Sequence, residues 1–138
     1  MTTDASKGTG GTPGQGIKLI RWLVALNLGL VALQAVSAGL LMSGYARALT
    51  AHRIAAVALQ CGALIQALAA VVLWRRRRVP ASVAGVGIGL LVIVFLQTGL
   101  GYRRSYWLHV PIGVGIFGGL TRHASRRDTL PRATGARS

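Results

Sequence analysis

The sequence predicts an all-α integral membrane protein, an antiparallel four-helix bundle built from two duplicated hairpins. Three observations carry this reading. Four apolar runs of helical length are separated by short basic and aromatic turns. Hydrophobic residues make up 52% of the chain and charged residues 13%, and the charges crowd between the apolar runs. The order glutamine, turn, histidine occurs twice: Gln34, a turn with Tyr45 and Arg47, then His52; and Gln97, the turn Tyr102 to Trp107, then His109.

Residues 1–16, MTTDASKGTGGTPGQG, predict a disordered tail, because so polar a stretch buries too little surface to order itself. The first span is about 17–42, longer than the roughly 20 residues a bilayer core needs. A cleaved signal peptide is the rival reading, with Lys18 and Arg21 as its basic region and Val36-Ser37-Ala38 as the cleavage site. The apolar run exceeds the usual ~7–15 residues of such a segment. The second span, about 52–74, stops at Arg75-Arg76-Arg77-Arg78, since four adjacent cations do not enter hydrocarbon. Pro80 introduces the third span, about 81–102, at a place where its missing N–H breaks no helical bond. The fourth, about 105–121, is short, roughly 25 Å at 1.5 Å per residue. It contains Pro111, which leaves the Trp107 carbonyl without its helical donor and predicts a local kink. Residues 122–138 form a second, more basic tail.

Orientation follows from Lys and Arg. Of the sixteen, twelve fall on the side of the two tails and the Arg75–Arg78 loop, and Arg47, Arg53, Arg103 and Arg104 fall on the other. The richer side is cytoplasmic, so both termini are expected inside a multi-pass plasma-membrane protein. Trp22 and Trp74 then mark the inner interface, and Tyr45, Tyr102, Tyr106 and Trp107 the outer.

The net charge of +14 is assigned to topology and to anionic headgroups on the cytoplasmic side, and not to nucleic acid, for which no motif is present. The two acids, Asp4 and Asp128, lie near the ends. That excludes paired-carboxylate hydrolysis and a carboxylate proton relay within the spans, and makes a small transporter the least supported reading. Cys61 is the one cysteine, so neither an internal disulfide nor CxxC chemistry is expected, and a small packing role inside a helix is. Ala81, Gly85 and Gly89, and again Gly115 and Gly119, recur every fourth residue. Their expected use is close packing within the bundle, with a homo-oligomer face as the alternative.

Chemistry rests on His52 and His109. Both open inward-running helices near the outer face, at similar depth. One imidazole from each of two helices can hold a planar iron macrocycle in a bundle core. Ala56 and Gly113, one turn further in, are small and leave room for a flat ring. Arg53 and Arg104 are candidates to pair with propionates at the rim, because planar guanidinium matches carboxylate. Gln34 and Gln97, on the partner helices, are candidates to orient an imidazole N–H. The plainer alternatives are interfacial end-caps for the histidines, snorkelling for the arginines and helix–helix hydrogen bonds for the glutamines. Zinc is disfavoured, since no third ligand of the usual kind is near. His123 is given no role.

The runs Gln34-Ala35-Val36-Ser37-Ala38-Gly39, His52-Arg53, Gln97 and Leu108-His109 also carry a family likeness. Over about Arg21 to Arg122 the chain resembles one half of the heme A synthase architecture, a four-helix unit whose even-numbered helices each bring a histidine to a heme. It is similar, too, to small four-helix membrane proteins of actinobacteria with the same order of motifs. The resemblance implies His52 and His109 as axial ligands of a b-type heme, with electron transfer to a redox partner or redox or heme sensing as the function. Heme A synthase also uses a carboxylate on its catalytic half, and no span or outer loop here has one. The likeness therefore implies a heme-binding or degenerate module without the synthase reaction. A non-catalytic structural or accessory membrane protein is the other reading.

Overall fold

The computed structural model describes residues 13–125, which form four α-helices: α1 (Pro13–Met42), α2 (Ala48–Arg75), α3 (Ala81–Tyr102) and α4 (Tyr106–Ser125). The expected tails lie mostly outside these residues. The parts that fall inside, 13–16 and 122–125, are helical. Proline is favoured at a first helical position, which suits Pro13. Gly16 is buried against α2, where an added Cβ would stand 3.0 Å from Leu73 Cδ2. Helix α2 starts four residues before the expected 52, because Ala48-Leu49-Thr50-Ala51 contains no breaker; His52 thus sits one turn inside the helix.

The helices form a ring in which α1 packs on α2, α2 on α3, α3 on α4 and α4 on α1. Sequential helices are antiparallel: along α1 and α2, Gly16 meets Leu73, Asn27 meets Gln66 and Ser37 meets His52. The buried stripe of α1 runs Gly16, Ile20, Val24, Asn27 and Val31, a spacing of three and four that keeps one face inward. Helix α2 buries most, from Ala48 and Ala55 to Ala70 and Leu73. Helix α4 buries only Ile116 and Leu120.

Three helices, α1 from Gly14, α2 and α3, are long and apolar enough to cross a membrane. Helix α4 differs from the expected fourth span: His109, Pro111, Arg122, His123 and the glycines at 113, 115, 118 and 119 dilute its hydropathy. The surface is apolar and the interior partly polar. Trp22 (76% exposed), Ile54 (65%) and Val92 (62%) face outward, while Asn27 (0%) and Gln66 (2%) are buried. Asn27 Nδ2 donates to Gln66 Oε1 at 2.8 Å.

The small residues are used differently from the expectation. Gly85, Gly89, Gly115 and Gly119 are exposed, and a Cβ on any of them would meet nothing within 4 Å. Helix approach depends instead on Gly62, whose Cβ would overlap Asn27 Oδ1, and on Gly87, whose Cβ would lie 3.2 Å from Ala67 Cα. Cys61 also faces outward, not into the packing.

Three helices end in the same closure. Tyr45 N–H donates to Leu40 O and Gly44 N–H to Leu41 O; Arg78 to Leu73 and Arg77 to Trp74; Ser105 to Leu100 and Arg104 to Gly101. The left-handed residue is Gly44 (φ 91°) in the first, but Arg77 (φ 56°) and Arg104 (φ 55°) in the others. A side chain in that region costs roughly 1–2 kcal/mol that glycine avoids.

Candidate functional site

His52 lies on α2 and His109 on α4, diagonal helices that share no backbone packing. Their rings nevertheless meet across the bundle axis, with centroids 6.2 Å apart and planes at 62°. Both residues are half-buried.

Each ring is tethered through Nδ1. His109 Nδ1 lies 2.9 Å from Gln97 O. A carbonyl only accepts, so Nδ1 carries the proton and Nε2 keeps its lone pair. His52 Nδ1 lies 3.1 Å from Ser37 Oγ. The single Ser37 proton is directed back along α1, to Leu33 O at 2.8 Å with Gln34 O at 3.1 Å. Its oxygen therefore accepts from His52 Nδ1–H, which gives the second histidine the same tautomer. The His52 ring also meets the Gln34 main chain, the counterpart of Gln97 O at His109.

The glutamines are placed next to the histidines, but on the backbone and not on the rings. Gln34 Nε2 donates to His52 O at 3.1 Å, and Gln97 Nε2 donates to His109 O. Each carbonyl has a second lone pair for this. The expected contact of a glutamine side chain with an imidazole N–H is absent among the described residues; Ser37 Oγ and the Gln97 main-chain carbonyl take that place. Gly113 is close to the site, and an added Cβ there would lie 2.9 Å from Gln97 Nε2. Its smallness thus admits the Gln97 amide to the His109 carbonyl, a use different from the expected room for a flat ring. Ala56 is half-buried one turn inward of His52, and Arg53 and Arg104 are exposed.

Sequence reasoning missed Ser37 and Gly101. A Cβ on Gly101 would stand 3.1 Å from His109 Cε1, so this glycine forms the wall behind the ring. A signal existed for both: Ser37 is three residues from Gln34 and Gly101 four from Gln97, spacings that share a helix face. Gln97 Oε1 is buried and has no donor among the described residues.

The separation of the two ring centres is near that of two imidazoles on one metal. Two metal–nitrogen bonds of about 2 Å, plus about 1.2 Å from each nitrogen to its ring centre, require centroids about 6.4 Å apart. The observed 6.2 Å is close to that. No cluster of three or more His, Cys, Asp or Glu occurs among the described residues, so a pocket-type metal centre of protein ligands alone is not formed there. Compared with family models, with curated proteins and with solved structures, the chain gives no significant match.

Proposed function

We propose that this is a multi-pass membrane protein that holds a b-type heme between His52 and His109 and uses it in electron transfer or in redox or heme sensing. The observation that carries the reading is the pair itself: two imidazoles from diagonal helices, 6.2 Å apart, each fixed through Nδ1. A fixed Nδ1–H orients the ring and makes Nε2 the better ligand. Bound there, heme iron supplies one-electron chemistry. The protein's part is to orient both rings through their Nδ1 atoms and their main-chain carbonyls. Arg53 and Arg104 are exposed near that end, where guanidinium groups would meet propionates.

Insertion is supported by the inverted polarity of the bundle. Large apolar side chains face outward while Asn27, Ser37 and Gln66 are buried, the reverse of what water selects and the arrangement lipid favours. Both termini are cytoplasmic by the distribution of Lys and Arg. The two glutamine-to-histidine-carbonyl bonds support a duplicated hairpin. A structural or accessory protein without cofactor is the second reading. It is favoured by the Gln97 amide at Gly113, on the side where a ring would lie.

The deciding measurement is the absorption spectrum, oxidised and reduced, of protein purified from heme-replete cells. A low-spin b-type spectrum is expected, lost in His52→Ala and in His109→Ala. Colourless protein without a Soret band overturns the heme reading. Reporter fusions at Pro80 and at the carboxyl terminus should read cytoplasmic and one at Gly44 extracytoplasmic; an extracytoplasmic signal at Pro80 inverts the topology.

A further inference from the structure

At the opposite end of the bundle from the histidines, the α2–α3 turn borders an open, shallow depression of about 410 Å³ lined by Trp74, Arg77, Arg78, Val79, Pro80 and Ala81. From it we infer that the protein binds the phosphodiester headgroup of an anionic phospholipid, with an acyl chain running up α3. The inference rests on the membrane reading above and is independent of heme.

The charge comes first. Arg75 to Arg78 are consecutive guanidinium groups, and the chain's two acids, Asp4 and Asp128, both lie outside the described residues. No carboxylate among the described residues neutralises them, so an external anion relieves their mutual repulsion. Planar guanidinium pairs well with a phosphate. Arg77 also holds a left-handed backbone (φ 56°), where the equivalent closure of α1 has Gly44. Neutralising the helix C-terminus does not require it, since Arg75 and Arg76 already stand there.

The depression's other side selects a lipid over a free anion. Trp74 is 42% exposed and Val79 is buried at 7%, an apolar side next to the arginines at the depth where indoles anchor. Beyond Ala81 on the same stripe of α3 come the exposed Gly85 and Gly89, where a Cβ would meet nothing within 4 Å. Ala81, Gly85 and Gly89, four residues apart over about 12 Å of helix, form a line of low relief leading away from the headgroup position, with the exposed Val86 and Ile88 beside it. The bundle does not use these glycines for its own packing, which leaves this low line open to an acyl chain.

The test uses the full-length protein, delipidated in neutral detergent and titrated by native mass spectrometry. The probes are phosphatidylglycerol, phosphatidylcholine of the same acyl chains, and inorganic phosphate. One phosphatidylglycerol should bind about tenfold more tightly than phosphatidylcholine, with Arg77→Gln and Arg78→Gln each weakening it about fivefold. Arg47→Gln with Arg103→Gln, at the other end, should leave it unchanged. Gly85→Leu with Gly89→Leu should weaken lipid binding several-fold by filling that low line. Arg77→Gly keeps the test sharp against misfolding: it should raise the melting temperature of the delipidated protein while weakening phosphatidylglycerol binding. Equal binding of the two lipids, an equal loss in the Arg47/Arg103 variant, or displacement of the lipid by millimolar phosphate each overturn the assignment. Protein recovered from cells without detergent would instead sink the membrane reading.

Discussion

The hairpin α1–α2 and the hairpin α3–α4 hold their histidines by one shared bond and one that differs. In both, a glutamine on the outgoing helix donates to the histidine's main-chain carbonyl. The ring partner is a side-chain hydroxyl, Ser37 Oγ, in the first and a main-chain carbonyl, Gln97 O, in the second. The frames differ more. The first hairpin is stitched by the buried Asn27–Gln66 pair. The second is thin, since α4 buries only Ile116 and Leu120 and falls short of a membrane-spanning composition. Common to both halves are the glutamine bond to the histidine carbonyl and a ring held through Nδ1. The scaffold that delivers them is strong on one side and slight on the other.

If so, the two hairpins should respond unequally to the same substitution. The largest effect is expected at Gly62, where a Cβ would overlap Asn27 Oδ1. Gly62→Leu should destabilise the bundle by about 3 kcal/mol, the top of the usual range for overpacking. Gly119→Leu on α4, where the space is open, should stay within about 0.5 kcal/mol. Thermal melts in detergent measure both; similar losses would erase the difference between the frames.

Next in size is the buried polar pair. Asn27→Leu is nearly isosteric and strands Gln66 Oε1 inside the bundle. A loss of about 1–2 kcal/mol is expected, as for other buried interhelical bonds. The double variant Asn27→Leu/Gln66→Met should recover most of it, because the stranded group is gone and so is Asn27 Oδ1, which has no donor among the described residues. Additive losses in a double-mutant cycle would show that the pair does not act as a unit.

A smaller effect separates the rings. Gly101→Ala puts a methyl 3.1 Å from His109 Cε1, so the ring must give by a few tenths of an ångström. Stability should change little. The His109 imidazole resonances should shift more than those of His52, which has no described glycine wall of this kind. Equal shifts would mean that the rings move as one body.

The legible part of this molecule was the part written in charge and periodicity. Pro80 and the arginine run bounded α3 at 81–102, as observed. The repeated glutamine and histidine marked the residues that meet at one end of the bundle. What stayed hidden depends on which way a helix face turns. Asn27 and Gln66 are isolated polar residues in apolar runs, and a linear reading does not distinguish a buried pair from two outward groups. The fourth-residue glycines of α3 and α4 misled for the same reason, since their spacing gives one face without saying whether it faces the bundle. Ser37 was read within a cleavage motif, and its role appears only once α2 starts at Ala48 and turns His52 toward α1.

The smallest expected effect isolates the bond that both hairpins share. Gln34→Leu removes a satisfied donor, Gln34 Nε2 to His52 O at 3.1 Å. Gln97→Leu removes the matching bond to His109 O together with Gln97 Oε1, a buried acceptor that has no donor among the described residues. Losing a net-favourable bond costs about 0.5–1 kcal/mol, whereas deleting an unsatisfied buried group returns a comparable amount. Gln34→Leu should therefore lower stability by about 0.5–1 kcal/mol and Gln97→Leu should be close to neutral. The difference is near the limit of a detergent unfolding curve, so the two variants belong in one side-by-side series with a common baseline. A Gln97→Leu variant less stable than Gln34→Leu would mean that its amide oxygen has a donor in the folded protein. The second hairpin would then be the better satisfied of the two, and the order of the two frames would reverse.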